Sequence, residues 1–467
     1  MNYVLYYKLM NSKEYDFKDT AEKEEGITSD LRKLFGVYKL VHTFRYKDDT
    51  QTKESPEKNI ISVSDTIMIQ FLLLHYFLED IENNKEDSDY KKLTEMLLST
   101  FIAGIPAPFH PVTNRESSYP FDDVVNNFLN LPIRNEFNTK IINNYAQYLE
   151  NSSEEAKVVR AIGSFQYMMN LVVFSNDKDG SLENELEQIG DTTLESLLHN
   201  THHIDGMKKF SEILYRLLKR RLSKKSNAND GLYSKTPNPP TNIIQLITNN
   251  DSEYKQLTIR EENERLAKFC KRKKLAFRRG QITEDDNMSV SDSVAQHTAH
   301  MLLLAYYFFP ENQSFSLREI HEIILAHDAS EALTGDKIGF QKKQEDRIEE
   351  QKATELISSD YAPKQHNISK RYIEIMNSYE NIIQDVRNGA KPTSNQELFV
   401  KAIDGIEAFL HLYDRSTREI LSAGKGYKWR QKQEEFKRGY EKFFTPFKTL
   451  LLHYEDLIKK FEEEKLF

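Results

Sequence analysis

Four residues, His297, His327, Asp328 and Asp404, could share one piece of chemistry. His327 recurs with Ile320, Ile323 and Ile324 at helical spacing, which puts its imidazole on the stripe that should face a core. Asp328 adjoins it, and Glu331 follows one turn further along the same stripe. Burying an imidazole with carboxylates costs several kcal/mol unless they are paired or bound to a metal. A lone His-Asp dipeptide is ordinarily a satisfied core histidine beside a helix-end aspartate. Here other segments supply candidate partners. In the helix expected over Val294–Phe308, His297 shares the apolar stripe of Val294, Met301 and Leu304. In a later helix Asp404 stands beside Phe399, Ile403 and Ile406. A mixed nitrogen and oxygen set drawn from three helices suits one divalent transition metal, with positions left for water and substrate.

The elements that must hold these residues are helices. The chain has 467 residues, 39% hydrophobic and 29% charged, which is a globular composition with room for more than one domain. Only 16 Gly and 13 Pro leave little for sheet turns, so an all-α architecture is expected. One cysteine, Cys270, excludes an intramolecular disulfide framework and any cysteine-based zinc site, and fits a reducing compartment. Met1–Lys8 lack the basic region and apolar run of a signal peptide, and no apolar run reaches the ~18 residues of a membrane span. These features point to a cytoplasmic protein without a membrane partner. A net charge of −9 argues against duplex nucleic acid as a general partner, although local basic patches could hold phosphates.

Along the chain, Ser62-Val63-Ser64-Asp65-Thr66 reads as an N-cap signal before the apolar run Ile67–Phe77. Further helices are expected over Lys91–Phe101 and Glu154–Phe174. Ser226–Pro240 has the composition of a linker, which divides the chain into 1–236 and 237–467. The same order then returns. Ser289-Val290-Ser291-Asp292-Ser293 repeats Ser62–Thr66, and Leu317–Ala332 repeats Tyr90–Ile105, both at an offset of 227 residues (289 − 62 and 317 − 90). Val400-Lys401-Ala402-Ile403 repeats Val159-Arg160-Ala161-Ile162 at an offset of 241 (400 − 159), and Phe277-Arg278 answers Phe44-Arg45. Repetition in fixed order implies two copies of one domain. Helices share apolar patterns by chance, and the constant offset speaks against that explanation. In the first copy the positions of the four candidate ligands hold Gln70, Thr100, Phe101 and Gly163, and Gly104 stands for Glu331. That copy should bind no metal there.

Residues from about 265 to 420 resemble the HD-domain phosphohydrolases, whose ligands come as His, then His-Asp, then Asp. Within that superfamily they look most like the bacterial 5′-deoxynucleotidase family. The resemblance rests on Phe277-Arg278-Arg279, Val294-Ala295-Gln296-His297-Thr298, His327–Asp336 and Leu398–Asp404. The family usually has one short domain, so the first half and the charged segment Gln341–Pro392 depart from it. Arg279 also replaces the aromatic residue common after the matching Arg.

The resemblance implies tandem HD-like domains, the first without metal ligands and the second catalytic. It further implies one divalent ion (Co, Mn, Zn, Fe, Ni or Mg) held by His297, His327, Asp328 and Asp404, with Glu331 as general acid/base. Arg278 would neutralise the substrate phosphate, Arg279 would join it in binding the substrate, and Asp336 would meet the sugar hydroxyl. The implied enzyme is a nucleotide phosphohydrolase that removes the 5′-phosphate of deoxynucleoside monophosphates. Two alternatives stay open: hydrolysis of nucleoside triphosphates, cyclic or modified nucleotides, and a non-catalytic nucleotide sensor. Retention of Glu331 favours an enzyme, since a binder needs no general base. Residues 1–236 are expected to pack on the catalytic domain as an intramolecular pseudo-dimer partner, with further self-association left open. His300 reads as a packed or supporting side chain. His321, off the ligand stripe, reads as a surface residue. Lys219-Arg220-Arg221 reads as a solvated helix end.

Overall fold

The two most apolar helical stretches, Ile67–Phe77 and Val294–Phe308, carry hydrophobic side chains on every face. A helix of that kind is stable only when other helices surround it. In the computed structural model each lies at the centre of one half of the chain. The structure describes residues 27, 30–31, 34, 63–82, 87–103, 135–173, 191–223, 257–274, 277–278, 281–282, 293–310, 315–334, 344–361, 368–391, 393–413 and 440–464. The linker stretch 226–240 and Trp429 lie outside them.

In the first half the helices are α1 (Val63–Tyr76), α2 (Leu78–Glu82), α3 (Asp87–Ala103), α4 (Asn135–Glu150), α5 (Glu154–Val173), α6 (Asp191–Thr201) and α7 (Asp205–Ser223). The second half holds α8 (Ile259–Lys274), α9 (Val294–Phe308), α10 (Leu317–His327), α11 (Glu331–Thr334), α12 (Gln344–Tyr361), α13 (Ile368–Arg387), α14 (Asn395–His411) and α15 (Lys448–Glu463). The one sheet among the described residues is an antiparallel pair, Phe277–Arg278 with Gln281–Ile282. The all-α expectation holds apart from that two-rung ladder. No described helix is long and apolar enough to cross a membrane.

Local sequence explains the helix starts around the candidate site. Ser293 caps α9, and Gln296 reaches back to complete a capping box. Ser316 and Glu319 do the same for α10, and Ser394 caps α14. The first-half counterpart differs: α1 starts at Val63, so Ser64 and Asp65 lie in its first turn rather than ahead of it. Both are buried, and Asp65 accepts hydrogen bonds from Ser293 Oγ at 2.7 Å and Gln296 Nε2 at 3.3 Å. A carboxylate from one half thereby sits at the N-terminus of the central helix of the other, where the helix dipole favours negative charge.

In each half three helices touch one another and a fourth packs on two of them. α9, α10 and α14 touch one another, α13 packs on α10 and α14, and α15 closes the far side of α14. In the first half α1, α3 and α5 touch one another, and α4 packs on α3 and α5. The halves meet along α1 and α9, with α3 against α10 and α1 against α8. One hydrophobic core runs through both, from Phe71, Leu97 and Phe165 to Leu304, Ile324 and Phe399. Phe101 meets Phe269 edge-on at 5.8 Å, and Tyr306 donates to Glu95 Oε1 at 2.6 Å across the junction.

That junction corrects the reading of His321, which is fully buried. Its Nδ1 lies 2.9 Å from the Tyr90 hydroxyl, which is also 2.7 Å from His75 Nε2, and Phe71 meets its ring edge-on. His321 is off the ligand stripe, but the face it occupies is the one α10 turns towards the first half. The sequence of one half does not reveal that second burying surface. Arg221 likewise caps a neighbour rather than standing in solvent, donating to the Leu171 and Val172 carbonyls at 3.2 Å.

Candidate metal centre

α9, α10 and α14 converge on one buried point. His297 projects from α9, His327 is the last residue of α10, and Asp404 lies within α14. One ligand atom from each of these three falls within 4.8 Å of the others. His297 Nε2 is 3.5 Å from Asp404 Oδ1. Asp328 Oδ2 approaches both imidazoles, 3.4 Å from His297 Nε2 and 3.2 Å from His327 Nε2.

α10 does not continue through Glu331 as the periodicity predicts. It stops at Asp328, the C-cap residue, and the chain turns before the short helix α11. The break swings Asp328 back towards the histidines. Glu331 opens α11 and is buried, its N–H donating to the Asp328 carbonyl at 2.9 Å.

The second nitrogen of each imidazole is already committed. His297 Nδ1 donates to Glu407 Oε2 at 2.7 Å, and His327 Nδ1 to the Ile324 carbonyl at 2.7 Å. In the neutral form of each ring this leaves the lone pair on Nε2. Both Nε2 atoms are buried without a hydrogen-bond partner. Desolvated lone pairs of that kind are costly unless something accepts them, and a divalent cation does so with charge to match the carboxylates. The residues present therefore fit a metal of the type that takes nitrogen and oxygen ligands.

Residues 250–443 match one known family, the HD domain. This stretch, less than half of the chain, is similar to the HD domain. HD domains are in general metal-dependent hydrolases and bind divalent metals. Residues 1–249 lie outside the match. No curated protein and no solved structure matches the chain.

Charge in the HD domain is arranged around the four residues. Burial pushes the Asp404 carboxyl up, but Lys401, in ion-pair contact with it, and the two imidazoles outweigh that and leave it below the ordinary carboxylate range. Burial pushes His327 down, but Asp328 and then Asp404 raise it overall. Lys401 also lies 5.3 Å from the Tyr440 ring centroid and is held charged by Asp404 against its own desolvation.

Three supporting residues went unseen in the sequence. Glu407 stands one turn beyond Asp404 on the buried face of α14, and that spacing was the available signal. Lys401 stood inside a recognised motif without a role. Tyr379 lies in the charged segment that departs from the resembled family. There Met376, Tyr379, Ile383 and Val386 form the buried stripe of α13, and the Tyr379 ring lies 6.0 Å from that of His327. Its hydroxyl is buried without a hydrogen-bond partner.

Of the residues expected to meet substrate, Arg278 is described only as backbone in the two-rung ladder, while Arg279 and Asp336 lie outside the described residues.

The corresponding place in the first half is neutral. Gln70 Nε2 donates to Gln166 Oε1 at 3.2 Å, Thr100 Oγ1 to the Leu97 carbonyl at 2.8 Å, and Gln70, Thr100, Phe101 and Gly163 are all buried. The Thr100 bond mirrors that of His327 to Ile324, and Gln70–Gln166 stands where His297–Glu407 stands in the HD domain.

Proposed function

We propose that the chain is a metal-dependent nucleotide phosphohydrolase that removes the 5′-phosphate of deoxynucleoside monophosphates. The observation that carries the hydrolase reading is the pair of buried, unpartnered Nε2 atoms of His297 and His327, flanked by Asp328 and Asp404. These four residues would hold one divalent ion. When bound, such an ion stabilises charge on phosphate oxygens and makes a neighbouring water more acidic. Glu331, buried next to Asp328, takes the proton of the attacking water and returns it to the leaving oxygen. Arg278 offers paired donors to the phosphate, Arg279 adds a further contact to the substrate, and Asp336 accepts from the sugar hydroxyl. The nucleotide assignment rests on the motifs Phe277-Arg278-Arg279 and His327–Asp336. The lone Cys270 is buried, which fits work in a reducing compartment.

In this reading the first half is a decayed copy of the HD domain that serves as a built-in dimer partner. The shared pattern of helix contacts and the two mirrored hydrogen bonds support it. Covalent linkage keeps the partner at high effective concentration, so one active centre suffices. The deciding experiment is phosphate release from a panel of nucleoside mono- and triphosphates, cyclic nucleotides and modified nucleotides, each with Co2+, Mn2+, Zn2+, Ni2+ and Mg2+. Selective, metal-dependent hydrolysis of deoxynucleoside monophosphates is expected. Turnover confined to triphosphates would overturn the substrate, and nucleotide binding with no hydrolysis under any metal would overturn the enzyme.

A further inference from the structure

The metal centre has a support that reaches beyond the HD domain. His297 Nδ1 bonds to Glu407 Oε2 at 2.7 Å, and the other carboxylate oxygen, Glu407 Oε1, lies 3.4 Å from His300 Nδ1. The opposite nitrogen, His300 Nε2, lies 3.1 Å from the hydroxyl of Ser64, in the first turn of α1. All four side chains are buried, and His300 is stacked on Phe101, also from the first half. Bond directions follow from the carboxylate. Glu407 accepts at both oxygens, so both histidines place their protons on Nδ1, and His300 Nε2 is left as the acceptor for the Ser64 O–H.

We propose that Ser64 is a positioning residue for the metal centre: through His300 and Glu407 it fixes the orientation of the His297 ring. This rests on the metal reading above. A partner of a ligating histidine holds its tautomer and ring plane, and loss of such a partner typically weakens metal binding by about 10- to 100-fold. Glu407 meets both histidines. Loss of the serine removes one bond that orients the His300 ring and its protonated nitrogen, and with it part of what holds Glu407 against His297. The first half thus supplies one hydrogen-bond donor to a site whose candidate ligands all belong to the second.

The test is Co2+ binding to the full-length protein, stripped of metal, without substrate. Affinity is measured by chelator competition and ligand geometry by the visible Co2+ absorption bands. Glu407→Gln should weaken binding by about 10- to 100-fold. Ser64→Ala should weaken it by about 3- to 10-fold, the ratio equivalent to one neutral hydrogen bond, and alter the Co2+ bands. Ser64→Thr, which keeps the hydroxyl, should restore both. In a His300→Phe background Ser64→Ala should have no further effect, because its route is gone. Unchanged Co2+ affinity and bands in Ser64→Ala overturn the proposal, even if the protein melts at a lower temperature, and so does an equal loss with and without His300. Failure of the unsubstituted protein to bind Co2+ removes the metal reading itself, and this support with it.

Discussion

His321 should make the protein sensitive to mild acid, and the size of the effect follows from its burial. Desolvation at the junction of the two halves pushes its imidazole from the ordinary 6.5 down to about 3. The folded-state value is depressed, so the folded protein keeps the ring neutral while the unfolded chain takes up a proton near pH 6.5. Stability from this residue is therefore complete above about pH 6.5 and is lost as pH falls towards the folded value. At pH 5 the unfolded chain binds the proton about thirtyfold in excess, which is about 2 kcal/mol of lost stability relative to pH 8. The result barely changes for any folded value below about 4. For a chain of this length, 2 kcal/mol corresponds to roughly 2 °C in Tm. Other groups also titrate in this range, so the informative quantity is a difference. His321→Gln can still hydrogen-bond Tyr90 but carries no titrating ring. Thermal unfolding followed by circular dichroism at pH 8 and pH 5 should show a fall in Tm smaller by about 2 °C in the variant than in the parent. Identical falls in both proteins would refute the argument, because His321 would then be free to take up its proton in the folded state.

Three further outcomes follow from the site. Asp328→Ala should lose both metal and turnover, whereas Glu331→Gln should retain Co2+ by chelator competition and lose turnover by about 100-fold or more; near-parental turnover in Glu331→Gln would remove it as general acid/base. Metal at a hundred times its Kd should add about 2.7 kcal/mol to the stability of the stripped protein, read as a rise of about 3 °C in Tm, and no rise at any divalent metal would count against a bound ion. Residues 237–467 expressed alone should aggregate or self-associate in sedimentation experiments, because the α9 face that meets α1 would be exposed; a soluble, monomeric and fully active fragment would contradict the built-in dimer.

The sequence by itself determined the helical class and the helices that carry His297, His327 and Asp404, because each lies on an apolar stripe of helical period and because serine caps mark where those helices begin. It also gave the reason to expect no such ligand set at the aligned positions of the first half, where Gln70, Thr100, Phe101 and Gly163 stand in place of two imidazoles and two carboxylates. Tertiary structure alone decided three things. The bend at Asp328 was invisible because an unbroken stripe runs on to Glu331, and the end of α10 depends on where the Asp328 carboxylate finds partners rather than on propensity. His321 looked exposed because its stripe faces away from the ligands, and only the packing of α10 on the first half buries it. The line from Ser64 through His300 and Glu407 to His297 spans residues more than 200 apart, and no periodicity links them. Helical period describes which residues share a face within one segment; which faces meet is settled by the packing of segments against each other, and the chemistry at this site depends on that second fact.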